Sequence, residues 1–123
     1  MINIKEQVYQ AISQLTNNVC YGYPKEFDSM PLITYRQSVN TSKILDKNDY
    51  EVSYIGFSFD VWNKADTEEG VDSMVNELDD IMAKQFGFTR TSYFEDLNFS
   101  DYLHTEVSYE GKVDSNGIIY NIN

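Results

Sequence analysis

Between Tyr50 and Asn63, YEVSYIGFSFDVWN, apolar and polar residues alternate with a period of two, the pattern of a strand. Tyr50, Val52 and Tyr54 alternate with Glu51 and Ser53. The phase then shifts, and Ile55, Phe57, Phe59 and Val61 alternate with Gly56, Ser58 and Asp60. Successive side chains of a strand point to opposite faces, so a straight strand places the two apolar sets on opposite faces. A bulge near Ile55-Gly56 would bring both to one face. The plainer reading is a central strand covered on both sides near its middle, too apolar for an exposed edge.

The rest of the chain is organised around this strand. Residues 1–19 show a helical period in Ile4, Val8, Ala11, Ile12, Leu15 and Val19, with Asn3 as N-cap and Glu6 completing a capping box. Residues 64–86 repeat the pattern through Val71, Met74, Val75, Leu78, Ile81, Met82 and Phe86. Here Asp66 is the expected N-cap, Glu69 its capping-box partner and Gly87 the terminator. Asp80 and Lys84 are spaced for an ion pair. Strands are expected over 32–39, 88–94 and 102–113, the last with His104 and Glu106 on its outer face. Residues 20–31 hold a glycine and two prolines and read as irregular, with Tyr21, Tyr23 and Phe27 closing over the core and Cys20 a small buried apolar side chain. Residues 40–49 form a polar hairpin tip carrying Ile44 and Leu45 without an obvious core. A turn at 114–117 leads to Ile118-Ile119-Tyr120, a short strand or part of a C-terminal arm over 114–123. The order α-β-β-α-β-β predicts one α+β domain over 1–123, an antiparallel sheet of about four strands with two helices on one face.

Charge narrows the partners. Twenty Asp and Glu against nine Lys and Arg give a net charge of −11, which argues against binding nucleic acid by neutralising phosphates. The same charge suits a protein that lets nucleic acid pass without sticking. The single cysteine excludes an internal disulfide. No apolar run is long enough to cross a membrane, and the first residues carry no secretory pattern.

Candidate chemistry is sparse. His104 is the only histidine, so a Ser/His/Asp or Cys/His constellation has one available base. Beside Glu106 and Ser108 it reads as a solvated surface residue. Asp66, Glu68, Glu69 and Asp72 match no calcium loop and fit helix capping better. There is no glycine-rich phosphate loop, CxxC pair or HExxH. The sequence therefore selects no catalytic residue, cofactor or metal site, and points to a binding or assembly module. The alternative is a small-molecule-binding or enzymatic α+β domain using the groove between helices and sheet.

Several stretches, taken in order, resemble a known family: the tail terminator, or tail-to-head joining (tail completion, minor capsid), proteins of long-tailed bacteriophages and prophages. They are VYQAISQL, YGYPKEFDSMPLITYR, NDYEVSYIGFSFDVW, VNELDDIMAKQFGFTR and EDLNFSDYLHTEVSYEGKVD, which together span nearly the whole chain. The resemblance implies a structural virion subunit made in the bacterial cytoplasm. It assembles as a homo-oligomeric ring, usually hexameric, on the head-proximal end of the tail tube. The ring would stop tube polymerisation and meet the head-tail connector protein, with genome DNA passing through its hole. It carries no catalytic residue with it. On this reading the candidate assembly contacts are Ile44, Leu45, Asp46, Lys47 and Tyr120.

Overall fold

The structure, a computed structural model, describes residues 3–24, 29–41, 44–45 and 51–114, with the strand path alone for 44–45. In chain order the elements are α1 (Lys5–Ile12), β1 (Val19–Tyr21), β2 (Leu32–Asn40), β3 (Ile44–Leu45), β4 (Glu51–Lys64), α2 (Asp72–Phe86), β5 (Thr89–Asp96) and β6 (Tyr102–Asp114). The fold is α+β. Five strands run in the order β1-β2-β4-β6-β5, and β3 pairs with β4 off this path. The β2–β4, β3–β4, β4–β6 and β5–β6 pairs are antiparallel, whereas β1 runs parallel to β2, so the sheet is mixed rather than wholly antiparallel.

β4 is central, as its pattern predicts, and pairs with β6 without interruption from Val52↔Asp114 to Lys64↔Tyr102. β4 does not take the bulged alternative. The register shift falls on the neighbour, between Gln37 and Val39 of β2, opposite Phe57 and Gly56. The strands crowd there. A Cβ on Gly56 would stand 2.9 Å from Glu110 Cγ and 3.2 Å from both the Tyr109 carbonyl oxygen and Val39 Cβ. Ile55, Phe57, Phe59 and Val61 face the core with Val107, Tyr109 and Val113 of β6. Ile4, Val8, Ala11 and Ile12 of α1 and Val75, Leu78, Met82 and Phe86 of α2 complete that core, so both helices cover the same face. Covering one face in this way leaves the opposite face without helices.

Both helices are shorter than expected. α1 ends at Ile12, and Leu15 and Val19 pack against the core from a turn and from β1 rather than from a helix. Apolar spacing therefore gave their burial but not their conformation, because pairing with Ile33 draws Val19 into the sheet. Asn3 Oδ1 accepts from the Lys5 N–H at 3.0 Å, while Glu6 accepts from Gln10 instead of closing a capping box. α2 starts at Asp72, not near Asp66. Gly70 adopts φ +62°, a left-handed turn that a continuing helix excludes, and its carbonyl accepts from Asn63 Nδ2 at 3.0 Å. Asp66 and Glu69 consequently do not cap the helix. At the other end Gly87 is left-handed at φ 64°, with its N–H on the Ala83 carbonyl, as its position predicts. Lys84 and Asp80 do approach, at 4.0 Å, on an exposed face.

Candidate functional site on the open sheet face

The face opposite the helices carries the polar positions of the strands, and their register assembles them into rungs. Leu32, Trp62, His104 and Asp96 lie side by side across β2, β4, β6 and β5, and Thr34, Asp60, Glu106 and Phe94 form the next rung. Arg36, Ser58, Ser108 and Ser92 form a third. Directly opposite and diagonal neighbours on one face of a sheet are within side-chain reach. Ser58 and Ser108 share a 2.7 Å hydrogen bond.

His104 sits at the centre of this grid. Its side chain is only 10% exposed, so it is not the solvated surface residue expected from its alternation. Nε2 lies 2.7 Å from Asp60 Oδ1 and Nδ1 lies 2.9 Å from Asp96 Oδ2. Only the doubly protonated ring donates to both carboxylates at once. The imidazole stacks on the Trp62 indole, with centroids 3.7 Å apart and planes 5° apart. Hydrogen bonding from His104, then the Asn98 N–H, holds the Asp96 carboxyl below the usual aspartate range. The cluster thus clamps β5 to β6 and β4. Because both ring nitrogens face carboxylates, neither is left over to serve a nucleophile.

Above the grid lies a cavity of about 870 Å³ whose lining includes Tyr23, Thr34, Arg36, Asp60, Trp62, Phe99, Tyr102 and Glu106. Phe99 and Tyr102 meet the Trp62 ring edge-on, at 5.4 and 6.5 Å. Arg36 reaches Asp60 at 3.4 Å and Glu106 at 3.9 Å and stays half exposed. Tyr23 is almost wholly exposed, which corrects its expected role as a cover for the core; Phe27 lies outside the described residues. Tyr21 does pack edge-on against Tyr35, at 5.0 Å. Burial, followed by the neighbouring Tyr21, pushes the Tyr35 phenol up to about 12. Cys20 is half-buried in β1, its thiol near the Tyr21 and Tyr23 carbonyls.

A second feature is the sheet edge. Every residue of β5 from Thr89 to Glu95 is exposed, and Tyr93, Phe94, Leu97 and Phe99 place large apolar side chains along it and just beyond it. On the helix side this edge is tied down by Asp79 of α2, which accepts from Arg90 at 3.0 Å and from the Tyr109 hydroxyl. Burial and that acceptor raise the Tyr109 phenol well above the tyrosine range.

Of the residues expected at an assembly interface, Ile44 and Leu45 form β3, paired with Val52 and Glu51, so this part of the tip is an added strand rather than a free loop. Asp46, Lys47 and Tyr120 lie outside the described residues, as do Ile118 and the rest of 115–123. The structure does not bring Ile44 and Leu45 into the Trp62–His104 grid. Sequence reasoning missed that grid. Its signal was the shared parity of Asp60 and Trp62 with each other and of His104 and Glu106 with each other, which becomes informative only once the β4–β6 register is known.

Among the described residues no helix is long and apolar enough to cross a membrane, and no group of three or more His, Cys, Asp or Glu is arranged to hold a metal ion. The sequence matches no protein-family model and no curated protein.

Proposed function

We propose that this chain is an assembly subunit of the tail-terminator, or tail-to-head joining, kind. It forms a ring, hexameric in this reading, at the head-proximal end of a phage or prophage tail tube. There it stops tube polymerisation and presents a face to the head connector, while DNA passes without specific binding. The observation that carries the reading is the β5 edge. An exposed edge strand offers unpaired N–H and C=O groups to another chain, and natural monomers blunt such edges with charge, bulges or cover. Here the uncharged run Thr91-Ser92-Tyr93-Phe94, which carries a register shift between Arg90 and Ser92, leads into Leu97 and Phe99, and Tyr93, Phe94, Leu97 and Phe99 are each exposed, with Tyr93 and Phe94 on opposite faces of the strand. A contact of this kind between unlike patches closes into a ring when its rotation closes. The net charge of −11 supports free passage of DNA through such a ring. This reading assigns the chain no catalysis, which the doubly engaged His104 supports.

The second reading, a small-molecule-binding or enzymatic domain, has the open-face cavity in its favour, on the side of the sheet away from the helices. One experiment separates the two. Phe94→Asp combined with Leu97→Asp alters only exposed side chains, so the variant folds as the parent does. In the first reading it loses self-association in sedimentation velocity, and tails assembled with it are long or unjoined to heads. Ile44→Ser with Leu45→Ser is expected to have the same effect on tails. Unchanged association and tail length in the β5 variant would remove the β5 edge from assembly. A metabolite that copurifies with the monomer would favour the second reading.

A further inference from the structure

The open-face cavity combines two features that select one kind of occupant. Its walls are aromatic, with Tyr23, Trp62, Phe99 and Tyr102 among the lining residues. Its charge is acidic: among the described residues Asp60, Glu106 and, behind His104, Asp96 are three carboxylates, against Arg36 and the His104 ring as the basic groups. Counted over these described groups, negative charge prevails even with His104 fully protonated. Arg36 spans Asp60 and Glu106 at long distances, 3.4 and 3.9 Å, and the Glu106 side chain is 36% exposed, so that carboxylate remains open to a second cation.

We propose that this cavity receives an arginine side chain carried on an apolar segment of a partner protein. Arginine fits better than lysine, because its planar guanidinium stacks on aromatic faces and forks a carboxylate with two hydrogen bonds. A polypeptide fits better than a free guanidinium compound, because the cavity wall continues outward into apolar surface that a small cation would leave bare. Phe99 and Tyr23 line the cavity and are themselves exposed, Phe94 stands on the same face opposite Glu106, and Leu97 follows in the same connector. A second copy of this chain is the poorer source, since its surface is acidic too, with twenty acidic against nine basic residues. The occupant is therefore a different, basic protein. This inference shares Phe94, Leu97 and Phe99 with the edge proposed for assembly, but its test reads peptide binding at Trp62 rather than self-association, so the failure of one is distinguishable from the failure of the other.

The protein carries its own reporter, since Trp62 is the only tryptophan and lines the cavity. The probes are acetyl-Leu-Arg-Leu-amide, the same peptide with citrulline, which keeps the shape and removes the charge, and free argininamide. The arginine peptide is expected to shift Trp62 emission saturably and to bind about tenfold tighter than either the citrulline peptide or argininamide, a single charge-assisted contact plus apolar flanks. Glu106→Gln, on the half-exposed side of the strand, should remove most of the preference for arginine over citrulline while leaving the far-ultraviolet circular dichroism unchanged. Asp60→Asn provides a second variant, with chemical shifts of the indole N–H as its readout. Equal binding of arginine and citrulline peptides would overturn the proposal, as would argininamide binding as tightly as the peptide. Silence of the indole signal to all three at millimolar concentration would overturn it as well.

Discussion

Gly111 offers a quantitative test of how the β5 edge is held in place. It lies on the core side of β6 opposite Ile55, and the Phe88 ring occupies the space its side chain would fill. A Cβ built there would lie 2.2, 2.5 and 2.9 Å from three carbons of that ring. Ordinary carbon contacts are about 3.5–4.0 Å, so the ring has to move by about an ångström. Phe88 is 3% exposed and packs edge-on against Phe86 with centroids 6.1 Å apart, which leaves it little room. Gly111→Ala is therefore expected to cost about 1–3 kcal/mol, the usual range for an overpacked core. Replacing a strand glycine by alanine would otherwise be neutral or mildly favourable. A double-mutant cycle in urea isolates the clash. Phe88→Leu alone creates a smaller, destabilised core, but in that background Gly111→Ala should cost much less, giving a coupling of about 1 kcal/mol or more. Strict additivity of the two changes would refute the account. Phe88 precedes β5 directly, so the clash should also loosen the edge strand, visible as faster amide exchange in Thr89–Asp96.

Two further outcomes follow from the core and from the carboxylate clamp. Leu78→Ala and Phe59→Ala, both at fully buried sites, should each lower stability by about 2–5 kcal/mol with an unchanged denaturant slope, and a loss below about 1 kcal/mol would place these residues outside the core. Asp96 has a depressed carboxyl, so its contribution is fully present above the ordinary aspartate range near about 4 and is lost as pH falls through the lower folded value. Thermal melts between about pH 2 and 6 should accordingly show a shallower acid limb for Asp96→Asn than for the parent, and superimposable limbs would sink the assignment.

The large strands, the two helical faces and the buried set Phe57, Phe59, Leu78 and Met82 were legible in the sequence, because periodicity reports which side chains leave water. What periodicity does not report is conformation where an apolar residue can be buried in more than one way. Val19 continues the helical stripe and is nonetheless a strand residue, since pairing with Ile33 satisfies the same burial. Asp66 and Glu69 form a good capping pattern, yet the left-handed Gly70 stands between them and the helix. The grid around His104 was invisible for a different reason. It needs Asp60, His104 and Asp96 from three strands, and no local pattern carries the register that joins them. A lone histidine beside a glutamate looks the same whether it is solvated or sealed under a tryptophan.

The strand order has a consequence for the timing of synthesis. β6 fills the slot between β4 and β5, yet it is the last strand among the described residues, and the pairs it makes with β4 join residues as far apart as Val52 and Asp114. Contacts of such long sequence separation form late, after the loop between them has been closed at an entropic cost. Until residues 104–110 have left the ribosome, β5 lacks the strand it pairs with and the Asp96–His104 clamp has no histidine to close on. Nascent chains thus cannot offer the finished β5 edge to one another until β6 has been made and has paired with it.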